Sequence, residues 1–337
     1  MTDNRTIGET SLDEIVDIPY GGKKNVILDA TVLTTIMACA RLADFRFNMS
    51  LISIDGNSNS LECGSITHKF LEVMYTHIIG GVKREQAVGY GFAAAEMYIA
   101  GCPGCSGFQS TKEVPQPLCG HRPNEYPGVS NTPKESEGYK TGWHHVLDTC
   151  DQYQQFYRND HWVPLKVEYV KGEVLYEDED IRVLWKAKLD LTVDTNQGIF
   201  PVDHKTMKQR RQNNSMNNQF MGQCMLMRTR MTILNKIGFQ LSLKPEEKFL
   251  RTPVNYSAAR LMEWQSETLP YYAKLLIMYA ETGHWPPNFT SCESKYGNCA
   301  FYEDVCSGDP GMREENLKLH FKVGPEWNPT NDGDSGE

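Results

Sequence analysis

Residues 181–206, IRVLWKAKLDLTVDTNQGIFPVDHKT, decide how this chain folds. From Ile181 the apolar residues alternate through Val183, Trp185, Ala187, Leu189, Leu191 and Val193, while Arg182, Lys186, Lys188, Asp190 and Asp194 take the other face. Leu184 is the exception. A period of two over this length predicts a half-buried strand. Thr195-Asn196-Gln197-Gly198 is a turn signal, and Ile199 to Lys205 reads as a second short strand. If the turn is those residues, Asp194 faces Ile199, and counting back puts Asp190 opposite Asp203. Directly opposed residues of an antiparallel pair share a face, with Cβ atoms about 5 Å apart. Lys205, further along the same face, joins them.

Two opposed carboxylates repel each other unless something positive sits between them. A hard divalent cation bound through oxygens, Mg²⁺ or Mn²⁺, is the usual solution. Such an ion polarises a phosphate oxygen and lowers the pKa of a bound water. A lysine beside it can orient that water or stabilise charge on the phosphate. A surface hairpin carrying ordinary exposed charges has the same spacing, so the motif alone leaves both readings open.

The 337 residues suit one large domain with insertions, or two small ones. The sequence has no apolar run of about 18 residues, and the opening MTDNRTIGETSLDE is polar and acidic. A membrane span and a secretory signal are therefore not expected, which points to the cytoplasm. A net charge of −9 argues against indiscriminate coating of DNA but leaves room for a local basic groove. Ten cysteines without an export signal favour metal or cluster ligation over disulfides.

Upstream of the hairpin, residues 1–25 read as a lead-in. Asp29 is positioned to cap a helix running through Val32, Leu33, Ile36 and Met37 towards Phe47. Ile66, Phe70, Val73 and Met74 are helically spaced around His68, and residues 83–100 read as another helix. The segment 101–140 contains Cys102, Cys105, Cys119 and His121, which could form a zinc knuckle or sit as unpaired side chains in a flexible insertion. Trp143 to Tyr157 forms an amphipathic helix; its adjacent His144 and His145 would point about 100° apart, which suggests surface exposure. Residues 162–176 form a strand, where Glu168 either reaches the cation or is an ordinary strand carboxylate.

Downstream, Lys208, Arg210 and Arg211 are placed for DNA phosphate contacts, or form a solvated charge run. Residues 255–282 read as helical, with Pro270 marking a kink or a break. Cys292, Cys299 and Cys306 fall among turn formers and aromatics, an unusual setting for a packed core.

A-K-L-Asp190 followed by Pro201-Val202-Asp203-His204-Lys205-Thr206 resembles the core of the PD-(D/E)XK nuclease superfamily. The nearest branch is the RecB-like exonucleases, with G-x-x-D followed by D-x-K-T; Ala187 stands where that branch has glycine. Gly64-Ser65-x-x-His68-x-x-Leu71-Glu72 is similar to the branch's first motif, whose histidine ligates the metal. Gln219-x-x-x-Gln223 resembles its Q-x-x-x-Y motif, with Gln223 in place of the tyrosine. Cys39, followed by Arg41, Phe45, Arg46 and Phe47, and the later Cys292, Cys299 and Cys306 resemble the one-then-three cysteine arrangement of iron–sulfur members, including CRISPR-associated and phage versions. The usual final spacing in those members is tighter than the one present here.

This resemblance implies an α/β, restriction-endonuclease-like core with a mixed central sheet flanked by helices, and a C-terminal cysteine-rich segment. The nuclease domain would span 26–310, with the insertion at 101–140, a cluster-binding segment at 284–310 and an acidic tail at 311–337. His68, Asp190, Asp203 and the backbone carbonyl of His204 would hold Mg²⁺ or Mn²⁺. Lys205 would position the attacking water, and Gln219 would help to hold substrate. Cys39, Cys292, Cys299 and Cys306 would bind a 4Fe–4S cluster, with zinc on the same thiolates as the rival. The implied activity is metal-dependent, exonucleolytic hydrolysis of DNA, with a recombination or helicase protein as a candidate partner and the host cytoplasm as the location if phage-encoded. The alternatives are a restriction-type endonuclease and a catalytically weak DNA-binding or adaptor protein.

Overall fold

The hairpin forms as the alternation predicts, with β5 spanning Ile181–Thr195 and β6 spanning Gly198–Met207. Asp194 pairs with Ile199 and Leu191 with Val202, the register counted from the sequence. These coordinates are a computed structural model, which describes residues 19–20, 23–54, 59–99, 143–207, 216–240, 242–294 and 297–327.

On one side β5 runs antiparallel to β4 (Val163–Glu177) along most of its length. On the other side it changes partner. Its first residues, Ile181 to Trp185, lie parallel to β2 (Lys23–Leu28), and its last, Leu191 to Thr195, pair with β6. Between those two pairings the sheet forks. From β6 the sheet continues to β7 (Met231–Gly238, parallel) and β8 (Phe249–Asn255, antiparallel), and β1 (Pro19–Tyr20) adds to β2. The result is a mixed, seven-stranded sheet.

Helices flank it. Helix α1 (Ala30–Ala38), capped by Asp29 through a 2.7 Å bond to the Val32 N–H, packs with α5 (Asn218–Met227) and α6 (Leu269–Thr282). Their core includes Leu28, Leu33, Trp185, Phe220 and Leu269. A Cβ at Gly222 would collide with the Trp185 indole, so only glycine lets α5 lie this close to β5. A second core joins α2 (Asn59–Ile79), α3 (Arg84–Ile99) and α4 (Trp143–Phe156) through Phe70, Met74, Tyr153, Leu191 and Val202. A five-residue π turn, Trp264–Thr268, precedes α6, and Pro270 sits in that helix's first turn, where a missing N–H costs nothing.

Several local expectations change. The opening helix stops at Cys39, whose backbone is extended (φ −164°, ψ 118°), and resumes at Ala40. Asn288 and Ser291 both donate to the Ala38 carbonyl at 2.7 Å, and the Arg41 N–H donates to the Pro286 carbonyl, so these groups are satisfied outside the helix. His145 is buried, not exposed, with Nε2 2.6 Å from the Phe239 carbonyl. The stretch read as lead-in already contains β1 and the start of β2. The stretch read as a tail carries α7 (Arg313–His320) and β11 (Phe321–Val323), which pairs with β3 (Leu51–Ser53). Leu317 and Phe321 bury themselves against Phe45, Phe301 and Val305, enough apolar surface to hold this segment down. A short hairpin, β9 (Glu293–Ser294) and β10 (Gly297–Asn298), lies between. No helix among the described residues is long and apolar enough to cross a membrane.

Candidate metal centre

The fork brings helix and strand side chains together. Ile66, Phe70 and Met74 anchor α2 in the core and leave His68 turned towards the sheet. Its Nδ1 lies 3.8 Å from Glu168 Oε1 and 3.9 Å from Asp190 Oδ2, and its Nε2 is 3.1 Å from the His204 carbonyl oxygen. A carbonyl only accepts, so Nε2 carries a proton. Nδ1 then faces two carboxylates and must either be protonated too or share a cation with them.

His68, Glu168 and Asp190 each offer a ligand atom, and the three atoms lie within 4.8 Å of one another. Ligands about 2.1 Å from one Mg²⁺ stand about 3 Å apart when adjacent and about 4.2 Å apart when opposite. The two distances from Nδ1 fall inside that span, so the donor set fits a hard divalent ion.

Glu168 gets there by a break in β4. Its φ of 44° is left-handed, a conformation costing a non-glycine residue about 1 kcal/mol. Val167 pairs with Leu191 and Tyr169 with Leu189, which places Glu168 across from Asp190. Lys188 Nζ holds its other oxygen at 3.0 Å. Asp190 interrupts a ladder as well. Its Oδ2 accepts the His204 N–H at 2.7 Å, and the β5–β6 pairing ends at Leu191 and Val202, one pair short of Asp190 and Asp203.

Asp203 is fully buried, and its Oδ2 has no hydrogen-bond partner. Its Oδ1 accepts from Gln219 Nε2 at 2.7 Å and from Gln223 Nε2 at 3.2 Å, and its Oδ2 lies 3.1 Å from Lys205 Nζ. Lys205 also donates to Gln219 Oε1 at 3.2 Å. Asn217 caps the first turn of α5 and so fixes where Gln219 enters.

Electrostatics match this division. Burial, reinforced by the Asp203 and Glu168 charges and opposed by His68, pushes the Asp190 carboxyl up to about 7. Burial works against a charged His68, but Asp190 and Glu168 outweigh it and raise the imidazole to about 9. Against its own burial, Glu168 is held below the usual carboxylate range by His68 and Lys188. The pocket therefore demands positive charge, and without a metal ion it takes a proton. Next door, burial depresses His204 well below the ordinary histidine value, with help from the charges on His68, Arg251 and Lys205. Neutral His204 is fixed by Asn235 at Nδ1, 2.8 Å away, and stacks on Tyr75.

Beyond the other end of α1, Cys39 and the three later cysteines are near enough for their charges to act on one another. The Asn288 N–H donates to Cys39 Sγ at 3.3 Å, and the Cys299 N–H to the Cys292 carbonyl at 2.7 Å. Burial raises the Cys292 thiol, and Cys299 and Cys39 raise it further. Burial raises Cys306 too, partly offset by Arg41, with Cys299, Cys292 and Cys39 adding to the rise. All four thiols are unpaired. Among the described residues, no three of these sulfurs lie within 4.8 Å of one another. Cys102, Cys105, Cys119 and His121, like Lys208, Arg210 and Arg211, lie outside the described residues.

The structure also separates readings that the sequence left open. Glu168, readable as a cation-reaching or an ordinary strand carboxylate, comes to His68 through its left-handed backbone, while Lys188 looks in sequence like any solvent-facing lysine. Gln223 had a signal, since it occupies the tyrosine position of the Q-x-x-x-Y pattern one helical turn after Gln219. Glu72, near His68 in sequence, instead pairs with Lys69 at 2.8 Å.

Neither a family model nor a curated protein matches the chain. Among solved structures it is similar to the crystal structure of SSO0001, at 11% identity and a TM-score of 0.25, over 38% of this chain and 59% of that one. The chain thus matches a little over half of that protein's length, and similarity at this level leaves the reading to the residues themselves.

Proposed function

We propose that this protein is a metal-dependent nuclease with a PD-(D/E)XK core of the RecB-like kind, hydrolysing DNA phosphodiester bonds from an end. The observation that carries this reading is the meeting of His68 with Asp190 at the fork, beside the Asp203–Lys205 pair. These groups come from separate motifs that occur in the branch's order along the chain. A scaffold for binding alone has no use for a cation pocket next to a buried carboxylate holding a lysine.

Bound there, a divalent cation would supply Lewis acidity towards a phosphate oxygen and a more acidic water. His68 and Asp190 would hold it, and Lys205 Nζ would direct a water at the phosphorus. In the reaction the water oxygen bonds to phosphorus as the ester P–O bond breaks. The departing sugar oxygen takes the bond's electron pair and a proton. Gln219, bonded to both Asp203 and Lys205, keeps the ammonium aimed. DNA as substrate rests on the resemblance, and Lys208, Arg210 and Arg211, just after β6, are the residues to contact its phosphates.

Cys39, Cys292, Cys299 and Cys306 would carry a 4Fe–4S cluster. One zinc ion about 2.3 Å from each sulfur would draw the sulfurs to within about 4 Å of one another. In a 4Fe–4S cluster each iron would instead take one thiolate. Protein purified without oxygen should be brown and contain iron; a colourless, zinc-only protein overturns the cluster.

The activity is tested with end-labelled linear DNA and covalently closed DNA, each with Mn²⁺ or with EDTA. Loss of the linear DNA alone, only with Mn²⁺, is the expected result. Cutting of both identifies an endonuclease, and binding without cutting identifies an adaptor.

A further inference from the structure

We infer that Lys186 of β5 binds a phosphate of the DNA strand, further along the β4–β5 face from the cation centre. This rests on the nuclease reading and deepens it. Among the described residues three lysines are buried: Lys186, Lys236 and Lys248. A lysine is almost never buried unless it is paired. Lys248 donates to Gln152 Oε1 at 3.0 Å, and Lys236 has a partner too. Lys186 is the exception: its ammonium has no hydrogen bond or ion pair among the described residues. The residue is 5% exposed, and the tip of its side chain still reaches solvent. Burial lowers its pKa, and no acid raises it back. A largely desolvated cation without an acid is a group that an incoming anion completes.

Its place in the sheet identifies the anion. Val170 pairs with Lys188 and Gly172 with Lys186 in unbroken register, so both lysines share the face that carries Glu168 and Asp190. Lys188 Nζ reaches Glu168 on that face at 3.0 Å. At about 3.4 Å per residue, Lys186 stands about 14 Å along β5 from Asp190, the span of a few nucleotides. Gly172 lets its stem lie flat across β4, because a Cβ there would stand 3.1 Å from Lys186 Cγ. Val170 and Val174, on either side of Gly172, are exposed, so the approach over β4 is open. A strand with its scissile phosphate on the cation would run outward past Lys188, which Glu168 neutralises, and meet its next unneutralised cation at Lys186. Such a local track lets a chain of net charge −9 hold a polyanion.

Lys186→Met, which keeps the stem and removes the charge, tests this in the full chain with Mn²⁺ and end-labelled linear DNA. KM should rise about tenfold. The slope of log KM against log salt should fall by about 0.7–0.9, the share of one phosphate contact. Relieving a desolvated charge should at the same time raise the melting temperature by about 2–4 °C. A lysine that served only the fold would move the melting temperature the other way. If Lys186→Met fails to fold, Gly172→Val, which pushes the stem aside and keeps the charge, should raise KM in the same direction. Unchanged KM and salt slope, or a raised KM with a lower melting temperature, overturn the inference and leave the nuclease reading in place. If the unaltered protein binds DNA without cutting it, the nuclease reading falls, and Kd measured on the same variants decides the phosphate site. If it neither binds nor cuts DNA, both fall.

Discussion

His68, Glu168 and Asp190 stand on a helix and two strands whose backbones are already tied into the central sheet. Cys292 and Cys299 flank a hairpin of two-residue strands, and Cys306 ends a five-residue π turn, beside a small separate core. At the fork, the ligand atoms are already close enough to share one ion. At the cysteine end the Asn288 N–H donates to Cys39 Sγ, and no three of the four sulfurs come within 4.8 Å of one another. A site built on a sheet is assembled by the core and can stay empty. A site built on turns needs its metal as part of its folding free energy. The same chain would thus hold one ion that serves chemistry and one cluster that serves stability.

The largest effect that would sharpen this contrast is at Lys205. Lys205→Ala should lower cleavage by about 1,000-fold, the upper range for removing one preorganised donor. Melting temperature and brown colour should stay as they are, and a shift in either would tie the fork to the cysteine end. Next comes Cys306→Ser, which should bleach the protein and cost more than about 3 kcal/mol, or about 6 °C or more. An unchanged melting curve there would break the comparison, because the cysteine end would then be as self-sufficient as the sheet.

The pH dependence of the fork follows in size. His68 has its value raised from 6.5 to about 9 in the folded chain, so its contribution is fully present below pH 6.5 and is lost as the pH rises through 9. Asp190, raised from 3.8 to about 7, acts in the same direction over the lower part of the range. Through these two groups the cation-free protein should lose stability as the pH rises from 3.8 to about 9. Mg²⁺ takes the proton's place, so the gain in melting temperature on adding Mg²⁺ should grow over the same interval. Melts in EDTA and in Mg²⁺ at several pH values measure this, and a pH-independent gain would show that no proton is displaced. The smallest effect belongs to Asn288→Ala, which removes the bond to the Ala38 carbonyl for about 1 kcal/mol, or about 2–4 °C. Mn²⁺ affinity at the fork should not respond to it.

Much of this was readable in advance where neighbours in sequence decide the outcome. The alternation from Ile181, the turn before Gly198 and the pairing of Asp194 with Ile199 follow from a period of two and a short loop. The Asp29 cap is equally local, whereas Pro270 makes no break: it sits in the first turn of α6, directly after the π turn. The break at Cys39 was not readable, because it depends on Asn288 and Ser291, which reach it from the far end of the chain. Nor was the burial of His145, which needs the Phe239 carbonyl. Residues after 311 read as polar by composition, yet Leu317 and Phe321 suffice to dock them once Phe45 and Phe301 are in place.

The order of residues by itself determined that a hairpin would carry Asp190, Asp203 and Lys205, since strand period and turn chemistry act over a few positions. Only the tertiary structure decided which carboxylate keeps company with which partner. That choice depends on β4 lying beside β5, on α2 bringing His68 over the fork, and on α5 presenting two amides to Asp203. Each of those contacts joins residues that are remote in sequence, and the balance between burying a charge and pairing it is settled only when the chain has closed around them.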